Sequence, residues 1–163
     1  HVEHTGRSYT RVGGNRAGAV ADLLTGAGLE TTVSGDIMAE IWYKAIVNSA
    51  INPVATLLRA RNGIIIERAD LAGFIEAVVA EGVAVAKANG FELDSAKAME
   101  KVIKVARETA KNTCSMWLDV ERGRRTEIMQ INGAIARFGR EREVPTPANS
   151  LLTALIQASE VRE

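Results

Sequence analysis

The sequence has 163 residues, 47% of them apolar and 25% charged, with 20 acidic side chains balancing 20 basic ones. That length supports one ordinary domain with a real core, and the balance excludes both intrinsic disorder and an electrostatic appetite for nucleic acid. The single cysteine, Cys114, excludes an internal disulfide and points to a reducing, cytoplasmic setting.

The chain opens HVEHTG, with no initiator methionine, basic region or apolar signal core, and is expected to start within a longer gene. VEHTGRSYTRVGG alternates around Thr-Gly-Arg-Ser and predicts two short strands joined by a turn. NRAGAVADLLTGAG, with Val20, Leu23 and Leu24 ahead of Gly26 and Gly28, predicts a short helix, and LETTVS a strand after it. Three strands cannot bury both their faces, so this β-β-α-β stretch reads as the tail of a larger sheet. From Asp36, a predicted N-cap, the patterns turn helical. A helix is expected over 67–89, burying Leu71, Phe74, Ile75, Val78, Val79 and Val85 and stopped by Asn89-Gly90. Asp94 or Ser95 caps a helix carrying Met99, Val102, Ile103 and Ala106. Thr126 is expected to cap TEIMQINGAIARFGRERE, with Ile128, Ile131, Ile135 and Phe138 as its buried stripe. Thr146 is expected to cap a last helix opening at Pro147, with Leu151, Leu152, Leu155 and Ile156 as its packing face.

Within this frame, the apolar run IWYKAIVNSAINPVATLL is broken by Lys44, Asn48 and Asn52. Its length approaches a membrane span, but those residues and Pro53 make insertion costly, so no membrane partner is expected. At helical spacing the three polar residues form one stripe about 12 Å long. Polar groups in an apolar setting need partners, and a bound polar ligand would serve. The residues alone leave a second account open: Lys44 snorkels, Asn48 bonds another helix, and Asn52 caps a helix opening at Pro53. A further polar cluster, SMWLDVERGRRTE, holds Ser115, Asp119 and Glu127. Glu127 there has a purely stabilising account as a first-turn carboxylate of the following helix.

Other chemistries find little support. Cys114 and Ser115 have no local histidine, His1 and His4 lying far along the chain, so a thiol or serine hydrolase is not indicated. Two histidines and one cysteine give no metal-ligand spacing. There is no Gly-x-Gly-x-x-Gly or Gly-x-x-x-x-Gly-Lys-Ser/Thr run, and so no complete nucleotide-binding turn.

Taken together, IWYKAIVNSAINPVATLL, RNGII, SMWLDVERGRRTEIMQING and VPTPAN closely resemble the ketopantoate reductase (2-dehydropantoate 2-reductase) family. Its pattern is a Trp-x-Lys-x-x-x-Asn-x-x-x-Asn-Pro helix, a Ser-Met segment and Gly-Arg-x-Thr-Glu-Ile, in this order. The resemblance implies a mainly α fold: a multi-helix domain of the 6-phosphogluconate dehydrogenase C-terminal type over 36–163. Residues 1–35 are then the closing strands and helix of an incomplete Rossmann domain. It implies reduction of 2-dehydropantoate to (R)-pantoate with NADPH, in pantothenate and coenzyme A biosynthesis, in the cytoplasm. Lys44 is then the general acid and Glu127 its catalytic companion near the nicotinamide. Asn48, Asn52 and Ser115 bind substrate, no metal takes part, and Asp119 has no role assigned. The alkoxide that develops on hydride addition suits an ammonium and neutral donors.

Cys114 stands where the family often has a serine, a change that leaves the Ser115 hydroxyl in place. With the dinucleotide turn absent, tight NADPH binding and activity are not expected of this chain alone. The expected partners are ketopantoate or pantoate, the missing Rossmann domain and a second copy in a homodimer. Two other readings stand beside this one. They are a paralogous NAD(P)H-dependent reductase of another 2-keto acid and a non-catalytic helical dimerisation or ligand-binding module.

Overall fold

The computed structural model describes residues 9–160. The chain forms two compact units, His1–Ile41 and Trp42–Glu163.

In the first unit, strand β1 (Thr10–Val12) leads through helix α1 (Ala17–Gly26) to strand β2 (Thr31–Val33). The strands pair in parallel, Thr10 opposite Thr31 and Val12 opposite Val33. Parallel neighbours cannot be joined by a tight turn, and α1 supplies the crossover. The hairpin expected in VEHTGRSYTRVGG has its first strand and turn outside the described residues, and its second strand is β1. Arg11 Nη1 and Ser34 Oγ both donate to Glu40 Oε1 at 2.6 Å, beside the start of helix α2 (Ile37–Leu57). Asp36 caps α2 as expected, its carboxylate accepting from the Ala39 N–H at 3.0 Å.

The second unit is all helical: α3 (Ile64–Glu67), a 3₁₀ turn (Ala69–Leu71), α4 (Ala72–Ala88), α5 (Ser95–Glu108), α6 (Ser115–Glu121), α7 (Asn132–Glu141) and α8 (Pro147–Glu160). The chain is thus mainly α. The helix expected over 67–89 begins only at Ala72, because Arg68 turns extended (φ −107°, ψ 101°) and its guanidinium pairs with Asp70. That hydrogen bond holds the Asp70 carboxyl below its ordinary range. Of the predicted inward positions, Ile75, Val78, Val79 and Val85 are buried, whereas Phe74 and Leu71 are half-buried and Leu71 precedes α4. Asp94 caps α5, accepting from Lys97 N–H at 2.6 Å, and its own N–H donates to the Tyr43 hydroxyl at 3.1 Å.

Three expectations give way. Thr126 does not open a helix: residues 127–131 make a single turn, with Gln130 and Ile131 N–H both on the Glu127 carbonyl, and α7 proper starts at Asn132. The backbone breaks at Ile131 (φ −105°, ψ −92°), and the Gly133 N–H folds back onto the Ile128 carbonyl at 2.9 Å. A Cβ at Gly133 would sit 3.4 Å from that oxygen and 3.2 Å from the Met129 sulfur. The break keeps both Ile128 and Ile131 buried without a continuous helix to carry them.

The N-terminus of α8, in turn, is not capped by the Thr146 side chain. Glu81 of α4 does this from across the bundle, Oε1 accepting from Ala148 N–H at 2.8 Å and Oε2 from Asn149 N–H at 2.9 Å. Of the predicted α8 face, Leu152 and Ile156 are buried, whereas Leu151 and Leu155 are exposed. Asn149 and Thr153 complete the buried stripe instead, since 149, 152, 153 and 156 share one side at helical spacing.

The core of the unit lies between α2, α4, α7 and α8. Ile46, Ala50 and Ile51 of α2 are buried with Ile75, Val78 and Val83 of α4, Ile135 of α7 and Ile156 of α8. Trp42 closes one end, its ring centroid 5.9 Å from both Phe91 and Phe138. At the other end Ala55, Cys114, Met116, Ile128, Ile131 and Ile156 form a cluster against which Trp117 and Ile64 pack.

Candidate active site

Three of the polar residues of interest flank that second cluster in sequence. Asn52 is three residues before Ala55, Ser115 lies between Cys114 and Met116, and Glu127 directly precedes Ile128. The Cys114 thiol reaches the Asn52 carbonyl at 3.5 Å and the Thr56 hydroxyl at 3.4 Å, which places the start of α6 beside the α2 stripe. Asn48 and Lys44 follow one and two turns back along α2. Lys44, Ser115 and Glu127 are exposed and Asn48 and Asn52 partly so.

Among the described residues, none of these five side chains makes a hydrogen bond or an ion pair, not even Lys44 with Glu127. Three buried polar side chains around them are engaged. Ser49 Oγ donates to Ile46 O at 2.8 Å, Thr56 Oγ1 to Asn52 O at 2.7 Å, and Thr126 N–H and Oγ1 both to Glu160 at 2.8 and 2.5 Å. Two parts of the structural account of the stripe give way: α2 stays helical through Pro53, so Asn52 caps nothing, and Asn48 bonds no other helix, whereas the exposed Lys44 fits that account. The first-turn account of Glu127 fails too, because α7 begins five residues later.

Chemically, the five offer an ammonium, a carboxylate, two amides and a hydroxyl, none with a partner among the described residues. Such a set can orient a small polar molecule and give or take a proton. Beyond Asn52, a pocket of about 530 Å³ is lined by Thr56, Leu57, Arg59, Trp117, Val120, Glu121 and Ser159. None of the five residues lines it. Among the described residues no group of His, Cys, Asp or Glu is placed to hold a metal ion, and no helix is long and apolar enough to cross a membrane. His1 and His4 lie outside the described residues.

The β1–α1 turn, Gly13-Gly14-Asn15-Arg16, does not fit a dinucleotide. A Cβ at Gly13 would fall 2.4 Å from Ile37 Cβ, so the space that glycine leaves is filled by this side chain rather than open to a pyrophosphate.

The sequence did not single out Asn132, Asn149, Glu81 or Glu160, which fix the surroundings of the five. One signal was present: a proline inside a helix leaves a carbonyl without its donor, and Asn132 interrupts an otherwise apolar stripe.

The chain thus comprises a short parallel β-α-β unit and a helical unit, with unpartnered lysine and amide side chains on the long helix α2. The family model described as "Ketopantoate reductase PanE/ApbA C terminal" matches residues 36–160, and the chain belongs to this family. It is 39% identical to the 2-dehydropantoate 2-reductase of Archaeoglobus fulgidus over 166 aligned positions, covering 98% of this chain and 55% of that protein. The chain thus spans about half the length of the curated relatives it matches. A PanE/ApbA family ketopantoate reductase from Ralstonia eutropha JMP134 superposes with a TM-score of 0.89 at 28% identity, over 98% of this chain and 54% of its own. A D-mandelate dehydrogenase solved with NADH and anilino(oxo)acetate gives 0.92, also at 28% identity, over 98% of this chain and 69% of its own.

Proposed function

We propose that this chain is the substrate-binding half of a ketopantoate reductase, with residues 36–163 as the helical domain. Residues 1–35 are the closing part of a dinucleotide-binding domain whose remainder lies outside this sequence. The observation that carries the reading is that Cys114, next to Ser115, meets the Asn52 carbonyl, that Asn48 and Lys44 continue the same face of α2, and that none of these polar side chains has a partner among the described residues.

In this reading, Asn48, Asn52 and Ser115 offer neutral hydrogen bonds to the hydroxyl and carboxylate of ketopantoate. The Lys44 ammonium faces the keto oxygen, stabilises the negative charge that grows there and delivers a proton to that atom. Glu127 supports Lys44 by its charge. The β1–α1 turn does not fit NADPH, the cofactor this reading calls for, so in this reading its main binding turn belongs to the rest of the dinucleotide-binding domain. The unpaired Cys114 is consistent with a cytoplasmic enzyme.

A second reading, reduction of a different 2-keto acid, is favoured by the equally full superposition on the D-mandelate dehydrogenase. NADPH oxidation by the complete protein, with ketopantoate and with the 2-keto acid of mandelate as alternatives, separates the two. Lys44→Ala is expected to lower kcat about 100-fold or more, within the usual range for a positioned acid. Unchanged turnover in both Lys44→Ala and Glu127→Ala would instead favour a helical module without a catalytic role.

A further inference from the structure

We propose that Asn132 is a positioning residue for the substrate wall of α2, standing in for the backbone donor that Pro53 lacks. The proposal rests on the reading of that wall given above. In an α-helix residue 53 donates its N–H to the carbonyl of residue 49, but Pro53 has none, and a proline ring crowds that carbonyl. Ser49 is fully buried, so water cannot serve, and its own hydroxyl is spent on Ile46 O. Asn132 Nδ2 reaches the Ser49 carbonyl at 3.1 Å from α7, 83 residues away in sequence.

The amide cannot be turned the other way. Its second N–H donates to Asn149 Oδ1 at 3.0 Å, and Asn149 is itself fixed because its Nδ2 donates to Val78 O at 3.2 Å and Glu81 Oε2 at 2.7 Å. Flipping Asn132 would set oxygen against oxygen at both partners. Asn132 and Asn149 are both fully buried. Asn132 Oδ1 has no partner among the described residues, a cost accepted to place both donors.

A chain of hydrogen bonds thus runs from the Glu81 carboxylate through Asn149 and Asn132 to the one carbonyl at which the α2 ladder is broken. A broken ladder is where a helix changes direction most easily. Lys44 and Asn48 lie before Ser49 and Asn52 after it, so whatever holds the Ser49 carbonyl sets how the two parts of the wall face a ligand. The carbonyl of Asn52 is tied likewise, by Thr56 and Cys114, while the amides of Asn48 and Asn52 stay free.

The test is steady-state reduction of ketopantoate by the complete protein carrying Asn132→Leu, Pro53→Ala or both, with melting temperatures alongside. Asn132→Leu is expected to raise the substrate KM about tenfold, equivalent to about 1.4 kcal/mol, and to leave the NADPH KM unchanged. Pro53→Ala returns a backbone donor to Ser49, so the double variant is expected to melt above Asn132→Leu, whereas unrelated defects would add. A substrate KM in Asn132→Leu equal to that of the wild type overturns the proposal.

If Asn132→Leu does not fold, Pro53→Ala alone decides. It is expected to melt at or above the wild type and yet to raise the substrate KM about threefold, a split that a merely structural proline would not produce. An unchanged KM overturns the proposal. Failure of the functional reading looks different: the wild-type protein itself shows no turnover of ketopantoate, and non-additive melting of Asn132→Leu and Pro53→Ala then decides the structural half.

Discussion

Removing the Glu81 carboxylate should loosen α8 from a distance. It accepts three hydrogen bonds, from the N–H of Ala148 at 2.8 Å, the N–H of Asn149 at 2.9 Å and Asn149 Nδ2 at 2.7 Å. Two of these donors belong to the first turn of α8, whose amides have no partner within the helix. In Glu81→Ala, water replaces part of that cap, and losing a cap with its favourable charge costs about 1–2 kcal/mol. The buried Asn149 amide keeps Val78 O at 3.2 Å but loses its shorter, charged partner, worth about 1 kcal/mol more. The sum, about 2–3 kcal/mol, corresponds to a fall in melting temperature of about 4–12 °C for a chain of this size. Calorimetry of the complete protein reads the fall. Hydrogen exchange at Ala148 and Asn149 shows whether it originates at this cap, and Glu81→Gln, which keeps one acceptor, is expected to lose about half as much. A melting temperature within 2 °C of the wild type, with unchanged protection of those two amides, would refute the assignment of Glu81 as the cap of α8.

Ser115 is exposed and partnerless, so Ser115→Ala is expected to leave the melting temperature unchanged while raising the ketopantoate KM about 3–10-fold, the worth of one hydrogen bond; matched kinetics would remove it from the site. At Gly139 a Cβ would stand 2.8 Å from the Val144 carbonyl oxygen and 2.8 Å from Thr146 Cγ2. Gly139→Ala is therefore expected to destabilise by about 1–3 kcal/mol, because backbone must move to admit it. Thermal unfolding measures this, and a neutral result would contradict the close approach of α7 to the chain that leads into α8.

The five candidate residues stood out in the sequence because their signals are short-range or are carried by spacing. Lys44, Asn48 and Asn52 recur every four residues, and that period alone stacks them on one face of a helix. Pattern could not show whether the face was paired or free. That Asn52 is no cap turned on α2 continuing through Pro53, and its neighbour across the bundle was set by the start of α6 meeting it through Cys114. Glu127 illustrates the opposite error: Thr126 and the apolar period predicted a helix from its side, whereas the buried pair Ile128 and Ile131 is served by a turn that breaks before Asn132.

By itself the sequence determined the helical character of residues 36–160, the Asp36 and Asp94 caps, the opening of α8 at Pro147 and the composition of the polar stripe. Each of these depends on groups within about four residues of one another. Tertiary structure alone decided that Glu81 rather than Thr146 caps α8, that Leu151 and Leu155 face outward, and that Asn132 answers the carbonyl freed by Pro53. Those outcomes join residues 67 to 83 positions apart. Which buried donor meets which orphaned acceptor at such separations is set by how the helices pack, and local propensity carries no record of it.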